Sequence, residues 1–107
     1  MLDLKQLSAF YYVAKTGSFS LAETQVGVKQ SWLSRQIKEL EEKCGSPLLE
    51  RQHGTVILTP EGEALFVPIE KLLFDAKVIE STISENRDDP KGKLTIATVG
   101  ARKDDVG

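Results

Sequence analysis

The sequence has 107 residues, of which 40% are hydrophobic and 28% charged, and a formal net charge of −2; this is the profile of one small globular domain. No stretch approaches the ~20 consecutive apolar residues of a membrane span, and no basic run leads into an apolar segment at the start, so we expect no membrane protein and no signal peptide. Cys44, the single cysteine, cannot form an internal disulfide, which predicts a reducing, cytoplasmic setting. With His53 as the single histidine, we expect no metal site, no cofactor, no catalytic residues and no enzyme.

The net charge differs between the first part of the chain and the segment that follows it. Residues 1–58 contain seven Lys and Arg against six Asp and Glu, a net of +1, whereas residues 59–93 contain five against eight, a net of −3. The window 29–38 contains three basic residues and no acidic one. A local basic face on a weakly acidic chain is compatible with nucleic-acid binding, but it is far weaker evidence for it than a high isoelectric point would be.

Capping residues predict two short helices at the start of the chain. Asp3 and Gln6 form a capping box that opens the first helix, which ends at Gly17 because glycine tolerates a left-handed C-terminal cap. Ser20 and Glu23 form a second capping box, which predicts that another short helix begins at Ser20.

A third helix is predicted at about 30–43. Leu33, Ile37 and Leu40 fall on one face at helical spacing and are expected to be buried, whereas the outer face is polar. Cys44 continues the apolar stripe, so we expect its thiol to be packed rather than reactive.

A change of hydrophobic period after Pro47 predicts a hairpin. Residues 48–51 and 55–58 are typical of two short strands, joined by a turn at Gln52-His53-Gly54. Two strands alone are only marginally stable, so they must pack against the helices. The resulting fold class is mainly α: a winged helix-turn-helix of three helices and a two-stranded wing.

The predicted domain covers residues 1–59, with the helix-turn-helix at about 18–37 and the wing at about 48–58. A long helix follows at 60–87, opened by Thr59 as the cap, and it extends for about 40 Å at 1.5 Å per residue.

A heptad seam along the long helix predicts dimerisation. A seam of this length cannot be buried against so small a domain, which favours pairing with a second copy over purely intramolecular packing. Pro68 should kink the helix, since it removes a backbone hydrogen bond. The residues expected at the dimer interface are Leu65, Ile69, Leu72, Leu73, Ala76, Ile79 and Ile83.

Polar residues at 88–93 predict a hinge, and residues 94–100 alternate like a strand. One strand without a partner is expected to be disordered or exchanged onto another chain, together with the charged residues up to 107.

Five segments of the chain resemble the LysR-type transcriptional regulators. They stand in the family's order and spacing, and residues 92–97 are similar to the lead into the family's effector-binding domain, so 94–107 would be the start of a domain missing from this chain. The segments are Gly17-Ser18-Phe19-Ser20-Leu21-Ala22, Gln30-Ser31-Trp32-Leu33-Ser34-Arg35-Gln36-Ile37, Leu40-Glu41, Leu48-Leu49-Glu50-Arg51 and Leu58-Thr59-Pro60-Glu61-Gly62.

The resemblance implies sequence-specific binding of double-stranded DNA by a homodimer, or a tetramer of two dimers. The third helix would enter the major groove and the wing would contact the adjacent backbone or minor groove. A small-molecule effector would bind only to the missing domain. The candidate DNA-binding residues are Ser18, Ser20, Lys29, Gln30, Ser31, Trp32, Ser34, Arg35 and Lys38 in the helices, and Arg51, Gln52, His53 and Thr55 in the wing.

Three positions depart from the family pattern. Lys29 replaces the serine that usually caps the recognition helix, and lysine cannot cap. Trp32 replaces a small residue; its position about 100° from Leu33 favours a side chain that faces DNA, with packing against the first helix as the alternative. Gly54 replaces a basic residue, which predicts weaker wing contacts.

These departures, together with the negative net charge, keep an alternative function open. The chain would then be a dimerisation or interaction module without DNA binding of its own, which forms heterodimers with full-length relatives. Replacing Arg35 by alanine separates the two hypotheses, because only the first predicts a loss of duplex binding.

Overall fold

The computed structural model describes residues 2–88. They form three helices, a two-stranded antiparallel sheet and a long fourth helix, which confirms the predicted winged helix-turn-helix fold. The chain divides into two units, the first ending at Leu73 and the second beginning at Phe74. In chain order the elements are α1 (Leu4–Thr16), α2 (Phe19–Val26), α3 (Gln30–Cys44), β1 (Leu49–Gln52), β2 (Thr55–Leu58) and α4 (Pro60–Asp88).

The predicted hinge and the strand after it fall almost entirely outside the described residues. Asp88, expected to open the hinge, is the last residue of α4. Residues 89–107, which include the predicted start of a missing domain, lie outside the described range.

Only the Asp3 half of the predicted capping box of helix α1 forms. The Asp3 carboxylate accepts a hydrogen bond from the backbone N–H of Lys5 at 2.9 Å, and Gly17 ends the helix with φ +70°. Gln6 does not return a bond to the cap, so the predicted box is wrong. Its side chain is buried, and its Nε2 donates to Oε1 of Glu39 on α3 at 3.1 Å.

The start of α2 differs from the prediction by two residues. Ser18 is the cap, and its Oγ accepts from the backbone N–H of Leu21 at 3.1 Å, whereas Ser20 lies inside the helix. The earlier start places Phe19 in the first turn, where its ring packs against the core. Thr16 supports the cap, because its Oγ1 donates to the carbonyl of Ser18 at 2.9 Å.

The core lies between α1, α3 and the hairpin. Leu33, Ile37 and Leu40 are all buried, as predicted from their spacing. Cys44 is exposed, so the prediction of a packed thiol is wrong. It is the last residue of α3, and it lines a surface depression rather than the core into which Leu40 projects.

The wing is a hairpin with a two-residue turn. Gln52 pairs with Thr55, so Gln52 belongs to the strand and the turn is His53-Gly54 alone. Both turn residues have positive φ, +51° and +78°, which is the conformation of the tight turns that favour twisted hairpins and which glycine adopts without strain. The backbone N–H of Val56 donates to the carbonyl of Gly17 at 3.0 Å, which ties β2 to the end of α1.

Thr59 caps α4 as predicted and also joins the helix to the wing. Its Oγ1 accepts from the N–H of Gly62 at 3.1 Å and donates to the carbonyl of Pro47 at 2.8 Å. Gly62 lies so close to the carbonyl of Leu48 that a Cβ there would overlap it. Pro68 lies inside α4, so the proline does not end the helix.

Part of the predicted dimer seam is used within the domain. Ile69 is buried in the core, and Leu65 and Leu73 are partly buried against it, so packing within the domain already covers part of the surface that these three side chains would offer to a partner. The reason is that the first turns of α4 are held on α1. The Tyr11 and Phe66 rings stack with centroids 5.4 Å apart, and the Tyr11 hydroxyl donates to Glu70.

The second unit begins with the last turns of α4, which carry apolar side chains in contact with water. The exposed fractions are 65% for Phe74, 48% for Val78, 56% for Ile79 and 44% for Ile83. Ile79 and Ile83 belong to the predicted seam, as does Leu72 in the first unit, which is 40% exposed.

Candidate nucleic-acid interface

The outer face of α3 is polar, basic and open to a partner. Burial of the opposite stripe turns the other side of the helix outward, as helical periodicity requires. The five candidate residues within this face are all exposed: Gln30, Ser31, Ser34, Arg35 and Lys38.

The beginning of α3 combines a basic residue with an unfilled cap. Lys29 occupies the N-cap position, with φ −75° and ψ 150°, and makes no side-chain capping bond, as predicted. Next to it, Nε2 of Gln30 donates to Oγ of Ser20 at 3.3 Å, so this candidate base-reading side chain is oriented by α2. The pair brings two predicted site residues from different helices together.

Trp32 is half-buried and packs against the core, which agrees with the inward alternative more than with the favoured DNA-facing one. Its remaining surface lines a depression of about 430 Å³ with Val28, Lys29, Ser31 and Arg35. The helical angle alone did not reveal this, because the indole is long enough to reach the core from the edge of the buried stripe.

The two candidate serines at the opening of α2 have different environments. The Ser18 hydroxyl accepts the N–H of Leu21 within its own helix, whereas Ser20 is exposed and contacts Gln30. Ser20 is therefore the member of this pair that belongs to the α3 surface.

The wing places four further candidates at the surface, since Arg51, Gln52, His53 and Thr55 are all exposed. Arg51 does not extend freely: its Cζ lies over the ring of Phe19, 5.2 Å from the ring centroid.

A depression of about 300 Å³ separates α3 from the wing and brings candidates from both elements to one place. Ser34 and Lys38 line it from α3, and Arg51 lines it from β1. Glu41 and Glu50 also line it and add negative charge, which weakens the attraction of this depression for a phosphate. We name it the α3–wing depression.

Two residues that sequence reasoning missed hold this surface together. The Glu41 carboxylate on α3 accepts the backbone N–H groups of Leu48 and Leu49 at 2.7 and 3.3 Å, which fixes where the wing begins. Phe19 supports Arg51. Both lie in segments that resemble the family, but no helix or strand periodicity pairs Glu41 with Leu48 or Phe19 with Arg51.

Within residues 2–88, no group of three or more His, Cys, Asp or Glu side chains could hold a metal ion. In the same range, no helix has the length and apolar character needed to cross a membrane.

The arrangement of α2, α3 and the hairpin matches a known family. Residues 4–63 match the family model described as "Bacterial regulatory helix-turn-helix protein, lysR family". The chain belongs to the LysR family. In this LysR-type chain the match spans helices α1 to α3, the wing and the first residues of α4.

Curated relatives of the LysR-type chain are transcriptional regulators. It is 36% identical over 95 residues to the HTH-type transcriptional regulator IlvY of Escherichia coli K12. The aligned segment covers 89% of this chain and 32% of the relative. It is 32% identical to the regulator CfxR of Cupriavidus necator over 95% of this chain and 32% of the relative. The chain therefore spans about a third of the length of these relatives.

Solved structures share the fold of the LysR-type chain. A BenM_DBD–catB site 1 DNA complex matches with a TM-score of 0.72 and 34% identity, over 81% of this chain and 98% of that one. An OxyR C206S mutant of Corynebacterium glutamicum matches with a TM-score of 0.76 and 32% identity, over 79% of this chain and 26% of that one.

Proposed function

We propose that this chain is the DNA-binding part of a cytoplasmic LysR-type transcriptional regulator and that it binds double-stranded DNA in a sequence-specific manner. The observation that carries the proposal is the exposed outer face of α3, which presents Arg35, Lys38 and several amide and hydroxyl groups. Residues 29–38 contain no acidic residue. The similarity to a domain solved with DNA supports it.

In this proposal α3 enters the major groove and its side chains have distinct roles. Arg35 donates two hydrogen bonds to a guanine, and Gln30 pairs with an adenine after exchanging its bond to Ser20. Ser31 and Ser34 contact base edges or phosphates, whereas Lys29 and Lys38 neutralise phosphates and supply affinity without sequence information.

The wing contributes backbone or minor-groove contacts in the same proposal. Arg51 carries a permanent charge, and Gln52, His53 and Thr55 offer hydrogen-bonding groups on either side of the tight turn. Because Gly54 at the tip has no side chain, we expect the wing to add less affinity than α3.

We also propose that the chain binds DNA as a homodimer held by α4. The support is the exposure of Leu72 in the first unit and of Ile79 and Ile83 in the second, at the heptad spacing of a paired helix. A dimer of this kind reads an inverted repeat, with half-sites one or two helical turns apart.

Selection from a random duplex pool tests the DNA-binding proposal. Sequences bound by the 107-residue chain should converge on an inverted repeat. Arg35→Ala should lower affinity for the selected duplex by about 1–3 kcal/mol. Lys5→Ala, which removes an exposed charge from α1, is the control and should change affinity little. If no sequence motif is enriched in the selected pool, the proposal is contradicted and the alternative, an interaction module without DNA binding of its own, is favoured.

Light scattering coupled to gel filtration tests the dimer. Ile79→Asp should convert the dimer to a monomer, because it places a charge in the apolar seam. Ser81→Asp adds the same charge about 200° around the helix and should leave the dimer intact. A wild-type monomer, or a dimer that survives Ile79→Asp, would contradict the proposed interface.

A further inference from the structure

The guanidinium group of Arg51 lies over the aromatic ring of Phe19. Its Cζ lies 5.2 Å from the centroid of the Phe19 ring, a distance at which a guanidinium is attracted to the ring face. Arg51 is exposed, whereas Phe19 is half-buried and packs against the core. An exposed cation is therefore in contact with a side chain that is packed against the core.

The backbone around this contact is cross-linked on both sides. Arg51 pairs with Val56 in the hairpin, and the N–H of Val56 donates to the carbonyl of Gly17 at 3.0 Å. Phe19 follows Ser18, whose side chain caps α2. The strand that carries Arg51 and the helix that carries Phe19 are thus held together at the level of the contact.

The contact also places Arg51 beside the phosphate-binding candidates of α3. Arg51, Ser34 and Lys38 line the same α3–wing depression, with Phe19 in its wall. An arginine whose rotamers are restricted before binding loses less conformational entropy when it binds an anion. Glu41 and Glu50 also line the depression, and a carboxylate is an alternative partner for a guanidinium that is not held elsewhere.

We propose that Phe19 is a positioning residue: its ring holds Arg51 at the α3–wing depression and thereby strengthens one contact between Arg51 and a DNA phosphate. This proposal rests on the proposed DNA binding. It adds a residue that positions a DNA-contacting side chain without touching DNA itself, and it makes the orientation of Arg51 depend on α2 as well as on the hairpin.

A double-mutant cycle tests the proposal with a duplex of mixed sequence, roughly 30 base pairs long, titrated at several salt concentrations. Arg51→Gln should reduce the slope of log affinity against log salt by about 0.9, the value for one phosphate. Phe19→Leu should weaken binding about two- to fivefold, the range of an exposed cation–π contact. In the Arg51→Gln background, Phe19→Leu should change affinity no further.

Phe19→Tyr is the matched control, since a tyrosine ring also attracts a cation and should retain wild-type affinity. A nuclear magnetic resonance spectrum without DNA gives a second readout. The side-chain protons of Arg51 should be shifted by the ring of Phe19, and Phe19→Leu should abolish the shift. Circular dichroism checks that each variant is folded.

The outcomes separate this proposal from the one on which it rests. If the wild-type chain fails to bind duplex DNA in a salt-dependent way, the proposed function is overturned. If it binds but Phe19→Leu weakens binding equally with Arg51 or Gln at position 51, Phe19 is only structural and the present proposal is overturned. Unshifted Arg51 protons in the folded wild type would overturn it as well.

Discussion

Replacing Lys29 by serine is expected to stabilise the domain while weakening its binding to DNA. The backbone of Lys29 has the extended conformation of an N-cap, but its side chain makes no capping bond. Ser18 shows the bond that is missing, since its Oγ accepts from Leu21, three residues later, at 3.1 Å. By the same geometry a serine at 29 reaches the N–H of Trp32 and contributes about 1 kcal/mol.

Thermal unfolding followed by circular dichroism measures this gain. A difference of about 1 kcal/mol in a domain of this size corresponds to an increase in Tm of about 4–8 °C. Lys29→Ala is the matched control: it removes the same positive charge from the positive end of the helix dipole but adds no hydroxyl. The capping argument is refuted if Lys29→Ser is no more stable than Lys29→Ala.

DNA binding should change in the opposite direction in both variants. Each loses one proposed phosphate contact, so the slope of log affinity against log salt should decrease by about 0.9. Stability and affinity are then separated by one pair of substitutions. An unchanged slope in Lys29→Ala would show that Lys29 contacts no phosphate.

Three further substitutions test the packing that positions the site. Thr59→Val removes the buried hydroxyl bonded to Gly62 and Pro47, and in a denaturant titration it should lower the unfolding free energy by about 2–4 kcal/mol. Thr59→Ser keeps the hydroxyl and should lose less than half of that, so equal losses in the two variants would contradict the role of the hydroxyl. Gly62→Ala drives a methyl group into the carbonyl of Leu48 and should cost at least about 2 kcal/mol despite the better helix propensity of alanine; a stabilised variant would disprove the close approach. Trp32→Ala should lower the unfolding free energy by about 2 kcal/mol, about half the loss at a fully buried site, and an unchanged Tm would contradict its packing against the core.

Local sequence signals predicted most of the fold. Helix ends depend on a few neighbouring residues, so Asp3, Gly17 and Thr59 were placed correctly from their types and positions. The buried stripe of α3 followed from periodicity alone, and the same periodicity implied an exposed opposite face with Arg35 and Lys38.

The exposure of most candidate side chains could be predicted from the sequence, but their arrangement could not. Ser20 was expected to cap α2, but Ser18 does so because the chain must bring Phe19 onto the core. Phe19 contacts Arg51, and Glu41 accepts hydrogen bonds from the beginning of the hairpin. Both contacts join different elements of the fold, which periodicity within one element does not predict.

What the sequence alone determined is therefore the order of helices and strands and the polar side of α3, since both depend on interactions within a few residues along the chain. Outside the buried stripe of α3, the tertiary structure decided which apolar residues are buried. Cys44 and Ile69 both continue apolar stripes, yet Cys44 is exposed and Ile69 is in the core. The physical reason is that burial requires a facing surface, and only the packing of α4 on α1 provides one.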